Sequence, residues 1–92
     1  MAKFALVATF NRETLETQQE VRPAHREYLK RLLDDGKLFG SGAWADVTGA
    51  LVIYEVADEA EARALFDADP FTTASVWEIV TLKEWNPTTR SW

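Results

Sequence analysis

The chain of 92 residues contains no cysteine, and this absence excludes several kinds of chemistry at once. Disulfide bonds, thiolate metal sites and cysteine nucleophiles all need a side chain that the sequence lacks. The absence is also typical of an intracellular protein, so a cytoplasmic location is expected. A single histidine is present, and one imidazole with scattered carboxylates gives little support for a metal site, so no metal is expected.

Long hydrophobic runs and an excess of positive charge are also missing. No apolar stretch approaches the roughly 18 residues that a membrane-spanning helix requires. The apolar start of the chain is interpreted as a strand rather than as a signal sequence. Fifteen acidic residues against ten basic residues give a net charge of −5, which disfavours nucleic acid as a partner because phosphate binding needs a basic face.

The glycine motifs that hold cofactors or present nucleophiles are absent as well. The sequence has neither a dinucleotide-binding fingerprint nor a phosphate-cradling loop, so no cofactor is expected. Gly40-Ser41-Gly42 lacks the spacer residues of a nucleophile elbow. The backbone here could approach a ligand closely, which makes Ser41 a candidate substrate contact, although a bulge in a strand explains the same glycines.

Alternating hydrophobic patterns predict four strands, and a longer period predicts the first helix. The predicted strands are Lys3–Phe10, Leu38–Trp44, Ala50–Val56 and Val76–Trp85, followed by a tail at residues 86–92. The first helix is expected after a polar segment at residues 11–19, which is interpreted as a loop with room for a helical turn. Pro23 would lie near its first turn and Gly36 just past its end.

A second helix is predicted between the last two strands. Asp58 stands at the cap position, Glu61 follows at the spacing of a capping box, and Pro70 ends the helix. The order of strand, helix, strand, strand, helix and strand predicts an α+β fold. We expect a single ferredoxin-like βαββαβ domain over residues 1–92, with a four-stranded antiparallel sheet and both helices on one face.

The predicted strands are apolar on both faces, and two helices cannot cover both. In the third strand Leu51 and Ile53 alternate with Val52 and Tyr54, so bulky apolar side chains point in both directions. A second cover is therefore needed, and a second copy of the chain is the simplest candidate. The sequence thus predicts a homodimer in which two sheets face each other.

The lone histidine is the first candidate for chemistry. His25 begins the apolar stripe of the first helix, which continues through Tyr28, Leu29, Leu32 and Leu33, and we expect it in the first turn at the mouth of the core. Imidazole exchanges protons near neutral pH. A carboxylate that accepts one ring N–H leaves the other nitrogen as a base. The alternative is a structural histidine whose ring N–H is satisfied in the core.

Asp69 is the candidate partner for this histidine. It precedes Pro70, which biases it away from helical geometry and holds it at a bend. The same dipeptide is common where helices end, so Asp69 could serve only as a helix terminator. Asp67 competes for the functional role, but it lies nearer the helix body, where a solvated side chain is expected.

Four basic residues cluster on the first helix: Arg22, Arg26, Lys30 and Arg31. They form either a solvated helix face or the rim of a pocket that attracts anions. Arg22 and Arg26 are candidates for binding substrate, with Arg12 as a further cation. Tyr28 and Trp77 could line the same pocket, or they belong to the core.

Several segments, taken in order, resemble the signatures of the YciI-like (YCII-related) family. The first-helix signature is similar to residues 22–29 together with Leu32-Leu33 and residues 36–38. Residues 39–42 are similar to the second strand of the family, and Ala68-Asp69-Pro70-Phe71 followed by residues 75–79 is similar to its second signature. The resemblance covers nearly the whole chain, and it rests on order and spacing rather than on a single motif.

The resemblance implies a dimeric α+β barrel with a histidine–aspartate centre in a small pocket, and position by position these residues are His25 and Asp69. Dehydrochlorinase activity in a relative and lactone isomerase activity in the wider fold imply proton transfer on cyclic, oxygenated small molecules. The main hypothesis is therefore an enzyme for elimination or isomerisation in which His25 transfers the proton and Asp69 orients it. A non-catalytic ligand-binding module is the alternative, and a structural dimer without a ligand is the third hypothesis.

Overall fold

The computed structural model describes residues 1–89, and this part of the chain contains four strands and three helices. In order they are β1 (Ala2–Phe10), a 3-10 turn (Arg12–Thr14), α1 (Leu15–Asp34), β2 (Leu38–Ala43), β3 (Gly49–Val56), α2 (Glu59–Asp67), α3 (Pro70–Thr73) and β4 (Trp77–Glu84). Every strand agrees with its predicted range to within one residue at each end. The last three residues of the predicted tail lie outside the described residues. No helix in the described range is long and apolar enough to span a bilayer.

All four strands form one antiparallel sheet in the order β2-β3-β1-β4. Leu6 of β1 lies opposite Val52 of β3 on one side and Leu82 of β4 on the other. The helix α1 connects β1 to the far edge strand β2, and α2 connects β3 to the other edge strand β4. This topology confirms the ferredoxin-like α+β fold with a four-stranded antiparallel sheet.

The core lies on one face of the sheet. Leu6 and Tyr54 are fully buried and belong to one apolar cluster with Leu32 of α1 and Phe66 of α2. Because successive residues of a strand point to opposite faces, their neighbours point away from the helices. Those neighbours include Val7, Leu51 and Ile53, which are half-buried on a face that none of the helices at residues 1–89 covers. We call this second side of the sheet the open face.

The first helix begins earlier than the sequence predicts. The segment at residues 11–19, where a loop was expected, begins with a 3-10 turn at Arg12–Thr14 that Asn11 caps. The rest of the segment belongs to α1, which starts at Leu15. Pro23 is consequently inside the helix, on its exposed side, where water can solvate the carbonyl that the missing N–H leaves free. The expectation that His25 lies in the first turn is therefore wrong, because it is the eleventh residue of this 20-residue helix.

The end of α1 follows the predicted glycine signal. Gly36 has φ +74°, and the N–H groups of Gly36 and Lys37 donate to the carbonyls of Leu33 and Leu32. This arrangement satisfies the last carbonyls of the helix and requires the left-handed conformation that glycine adopts without strain. Leu33 itself is 54% exposed, so the buried stripe of the helix does not include it.

The second helix has the predicted capping box. The Asp58 carboxylate accepts a hydrogen bond from the Glu61 N–H at 2.8 Å, and the Glu61 carboxylate accepts one from the Ala57 N–H at 3.0 Å. Glu61 therefore reaches back one residue further than in the usual form of the motif, in which the acceptor bonds the cap residue itself. The two bonds fix where the chain leaves β3 and enters α2.

Gly49→Ala is expected to destabilise the fold, because β3 begins directly against the backbone of β1. A Cβ at this position would overlap the carbonyl oxygen of Ala8 and would also crowd the Trp44 ring. We expect the free energy of unfolding, measured by urea denaturation, to fall by roughly 1–3 kcal/mol. Gly42→Ala is the matched control, since a Cβ there meets nothing within 4 Å. An equal loss in both variants would contradict this packing argument.

Candidate functional site

Asp69 lies at the sharp junction between α2 and α3. It has extended backbone angles (φ −65°, ψ 134°), which the following Pro70 favours, and Pro70 is the first residue of α3. Its Oδ1 accepts a hydrogen bond from the Phe71 N–H at 2.9 Å, so Asp69 is the N-cap of α3. The Asp69-Pro70 pattern predicts the end of α2 but not α3, which at four residues is too short to show a periodic pattern.

The same carboxylate oxygen contacts the histidine. His25 Nδ1 lies 2.7 Å from Asp69 Oδ1, and the Asp69 side chain is fully buried. Because an ionised carboxylate can only accept, the ring nitrogen Nδ1 is the donor of this bond. The bond therefore selects the tautomer that carries its proton on Nδ1, and it leaves Nε2 as the basic nitrogen.

Aromatic rings hold the imidazole from two directions. The Phe71 ring stacks on His25 with centroids 3.8 Å apart and planes inclined by 7°, and Trp77 meets the same ring edge-on at 5.2 Å. Trp77 is itself fixed, because its indole N–H donates to Thr72 Oγ1 at 2.7 Å and its ring stacks on Phe66. The hydrogen bond and the stacking together leave the imidazole little freedom to rotate.

His25 forms part of the wall of a cavity of about 620 Å³. Helix α1 provides one side of this cavity, the edge strand β2 and its neighbour β3 provide the other, and Phe10, Phe71 and Trp77 make an aromatic end. The volume lies within the range of known small-molecule sites. Leu15 and Val47 also line it, and both are strongly exposed, so the mouth of the cavity has an apolar rim.

The cavity carries positive charge on the α1 side. Arg22 and Arg26 both contribute to its lining, and neither forms an ion pair with a carboxylate within residues 1–89. Asp69 does not contribute to the lining of the cavity. The arginines are therefore free to neutralise an anionic ligand close to the imidazole.

Of the other candidate residues, some line this cavity and some do not. Ser41 lies opposite Val52 of β3 and lines the cavity, after the register shift between Leu38 and Gly40 that marks the predicted bulge. Trp77 also lines it and is 3% exposed, so it belongs to the cavity wall and to the core together. Arg12 lies in the 3-10 turn and does not contribute to the lining.

Tyr28 does not line the cavity. Its hydroxyl donates to the carbonyl oxygen of Leu65 at 2.7 Å, which ties α1 to α2. Burial raises the pKa of this phenol, the negative charge of Asp69 raises it further, and the Arg31 guanidinium opposes them. Asp67, the competing carboxylate, is more than half exposed and pairs with Arg63, as its position on the helix body predicts.

Sequence patterns do not identify several of the residues that line the cavity. Gln18 is buried and lines the cavity, but residues 11–19 are polar apart from Leu15, and such a segment predicts a loop. Phe71 could have been found, since it stands two residues after Asp69 and enters the same helical turn. Phe10 ends β1 on the core face, where strand alternation alone would have placed it. Within residues 1–89 no three histidine or acidic side chains lie close enough together to hold a metal ion.

Comparison with known sequences finds a family of domains that matches nearly the whole chain. A family model described as the YCII-related domain matches residues 2–86. Protein YciI from Escherichia coli O6:H1 is 34% identical over 90 residues, which cover 87% of this chain and 92% of that protein. Protein YciI from Shigella flexneri matches with the same identity and coverage.

Comparison with solved structures finds the same fold in an enzyme. The 5-chloro-2-hydroxyhydroquinone dehydrochlorinase from Burkholderia phenoliruptrix AC1100, in complex with 2,5-dihydroxybenzoquinone, superposes with a TM-score of 0.78. The match covers 91% of this chain and 93% of that protein at 22% sequence identity. At this identity the similarity establishes the fold.

Asp69→Ala is expected to lower the free energy of unfolding by roughly 2–4 kcal/mol, because it leaves two buried donors without an acceptor. Asp69→Asn should cost clearly less, since its amide oxygen can still accept from the Phe71 N–H that Asp69 caps. Both values are measured by urea denaturation. Asp67→Ala is the control, because that carboxylate is exposed and pairs with Arg63 on the same helix. Similar losses at residues 67 and 69 would contradict the double role of Asp69.

Proposed function

Because the chain belongs to the YCII-related family, we propose that it is a small-molecule enzyme that uses His25 and Asp69 as a general acid–base pair. The observation that carries this proposal is the 2.7 Å hydrogen bond from Nδ1 to a fully buried carboxylate, beside a cavity of about 620 Å³. A carboxylate in this position orients the imidazole and stabilises the imidazolium that forms when Nε2 takes a proton.

The proposed reaction is an elimination or an isomerisation. His25 Nε2 removes a proton from a C–H or O–H group of the substrate, and the electron pair of that bond forms a new double bond. In an elimination the leaving group departs with its own electron pair. In an isomerisation His25 returns the proton to a different atom of the same molecule, so that no other reactant is consumed. General acid–base catalysis by one positioned side chain accounts for about 10²–10⁴ in rate.

The proposed substrate is a cyclic, oxygenated compound that carries negative charge. The aromatic end formed by Phe10, Phe71 and Trp77 suits a flat ring. Arg22 and Arg26 would bind a phenolate or carboxylate, and the β2 backbone at Ser41 lies across the cavity from them. The fold shared with a dehydrochlorinase that binds a dihydroxybenzoquinone supports this class of ligand by analogy.

A non-catalytic ligand-binding module is the second candidate. Asp69 has a structural task in capping α3, and a binding protein would keep the pair for that reason alone. The two functions differ in what the imidazole contributes. In an enzyme Nε2 exchanges protons with the ligand, whereas in a binding module it only contacts the ligand.

His25→Gln is expected to reduce turnover about 10²–10⁴-fold while ligand binding changes far less, because glutamine can form hydrogen bonds but cannot carry the proton. The measurements are turnover and calorimetric binding across a panel of chlorinated hydroquinones and unsaturated lactones. Lys30→Gln is the control, since Lys30 is an exposed residue of α1 that does not line the cavity. If the wild-type chain turns over none of these compounds and His25→Gln weakens binding, the binding module would be favoured.

We also propose that two copies of this chain, each a single domain over residues 1–92, pack their sheets together as a dimeric α+β barrel. The support is the open face, where Val7, Leu51 and Ile53 form an apolar surface that no described helix covers. A sheet needs apolar cover on both faces when both carry bulky aliphatic side chains. An isologous pair supplies that cover with a single surface.

Val7→Lys is expected to convert the dimer to a monomer, because it places a charge at the centre of the open face, between Leu51 of β3 and Thr81 of β4. Sedimentation velocity at micromolar concentration measures the change. Leu33→Lys introduces the same charge at an exposed position of α1 and should leave the dimer intact. A wild-type chain that sediments as a folded monomer would refute the dimer.

A further inference from the structure

Two buried oxygen atoms in the core have no hydrogen-bond partner among residues 1–89. They are the second carboxylate oxygen of Asp69, Oδ2, and the hydroxyl oxygen of Tyr54. Both residues are fully buried, so bulk water does not satisfy either group. An unpaired buried polar group typically costs about 1–3 kcal/mol, and a charged one costs more. One of these groups is an acceptor and the other is a donor, so each has what the other lacks.

The carboxylate of Asp69 is used unevenly. Oδ1 accepts from both the His25 ring and the Phe71 N–H, at 2.7 and 2.9 Å, whereas Oδ2 accepts from neither. The negative charge of an ionised carboxylate is shared by both oxygens, so Oδ2 still needs a donor inside the core. The donors from α1 and α3 both bind Oδ1, so neither of them satisfies Oδ2.

The other donors around this carboxylate already have acceptors. The Tyr28 hydroxyl donates to the carbonyl oxygen of Leu65, and the Trp77 indole donates to Thr72. The chain has only two tyrosines, so Tyr54 is the one phenol whose proton is uncommitted. Its ring projects from β3 to the helix-covered face of the sheet, which is the side on which Asp69 lies.

The negative charge of Asp69 acts on the buried Tyr54 phenol. Burial raises the pKa of the Tyr54 phenol strongly, and the charge of Asp69 raises it further, followed by smaller effects from Tyr28 and Asp67. Asp69 therefore contributes more than the exposed Asp67 does, and it favours the protonated hydroxyl. A neutral phenol near a buried carboxylate is the state in which it can donate a hydrogen bond.

We propose that the Tyr54 hydroxyl is linked to Asp69 Oδ2 through one internal water, which accepts from the phenol and donates to the carboxylate, and that Tyr54 is a positioning residue for the His25–Asp69 pair. The proposal deepens the proposed function and rests on it only in treating that pair as a proton-transfer centre. With this bond the carboxylate has donors on both oxygens, and its orientation towards His25 is fixed from the β3 side of the core as well as from α3.

The proposed bond has a consequence that a purely packing role for Tyr54 does not have. A donor at Oδ2 withdraws electron density from the carboxylate and makes Oδ1 a weaker acceptor. Removing that donor therefore strengthens the bond from His25 Nδ1 to Oδ1 and moves the Nδ1 proton resonance downfield. Because His25 is the only histidine, this resonance has no ambiguity of assignment.

The experiment compares Tyr54→Phe with Tyr28→Phe by proton and nitrogen NMR of the full chain without substrate. We expect a downfield shift of the His25 Nδ1 proton in Tyr54→Phe that exceeds any change in Tyr28→Phe, because the Tyr28 hydroxyl is bonded to Leu65. An unchanged resonance in a folded Tyr54→Phe protein overturns the proposal. The spectra are recorded without substrate, so they test the Tyr54 proposal whether or not the chain is an enzyme. Absence of turnover on every substrate would count against the proposed function alone.

The reciprocal measurement does not require the Tyr54 variant to fold. Tyrosine labelled at the ring carbon that bears the hydroxyl gives two signals, one for each tyrosine. Asp69→Asn keeps an oxygen at the Oδ1 position, where the Phe71 N–H donates, and places an amide nitrogen at the Oδ2 position, so it should shift the Tyr54 signal, with a smaller effect on Tyr28. Equal shifts of both signals, or no shift of either, would overturn the link between Tyr54 and Asp69.

Discussion

The oxygen Oδ1 of Asp69 accepts two donors that come from different parts of the chain, and the arrangement of the helices depends on this convergence. The Phe71 N–H begins α3, and the His25 ring projects from the middle of α1. A carboxylate with no solvent exposure is tolerable only when charge-assisted hydrogen bonds replace its hydration. The oxygen therefore caps one helix, docks a second helix against it, and selects the histidine tautomer. The stability of this region and its chemistry have the same physical basis.

The consecutive residues Asp69, Pro70 and Phe71 control the imidazole from two directions. Asp69 binds the ring nitrogen in the plane of the ring, Pro70 sets the backbone angle that starts α3, and Phe71 stacks on the ring face at 3.8 Å. A histidine held in this way meets a ligand without first paying the entropy of ordering its own side chain. The sheet separates this centre from the open face, so the cavity and the proposed dimer surface use opposite sides of the same four strands.

The departures from the sequence-based predictions have identifiable causes. The segment from Leu15 to Glu20 is almost entirely polar, so it has no hydrophobic period that would distinguish the first turns of a helix from a loop. Pro23 was expected near a helix start because that is its commonest place, but an exposed interior position is also tolerable when water solvates the freed carbonyl. Tyr28 is on the predicted stripe, yet its hydroxyl reaches Leu65 rather than the cavity, a distinction that periodicity does not contain.

The sequence by itself determined the strands, the caps at Asp58 and Gly36, the ferredoxin-like order and the two residue types with proton-transfer chemistry, because these follow from local periodicity, capping and side-chain pKa. Only the tertiary structure decided that His25 and Asp69, 44 residues apart, meet at 2.7 Å, and that Oδ2 and the Tyr54 hydroxyl are left without partners. Hydrogen-bond distances depend on how helices pack across the sheet. That packing is fixed by the complementary shapes of many side chains together, which no local pattern in the sequence records.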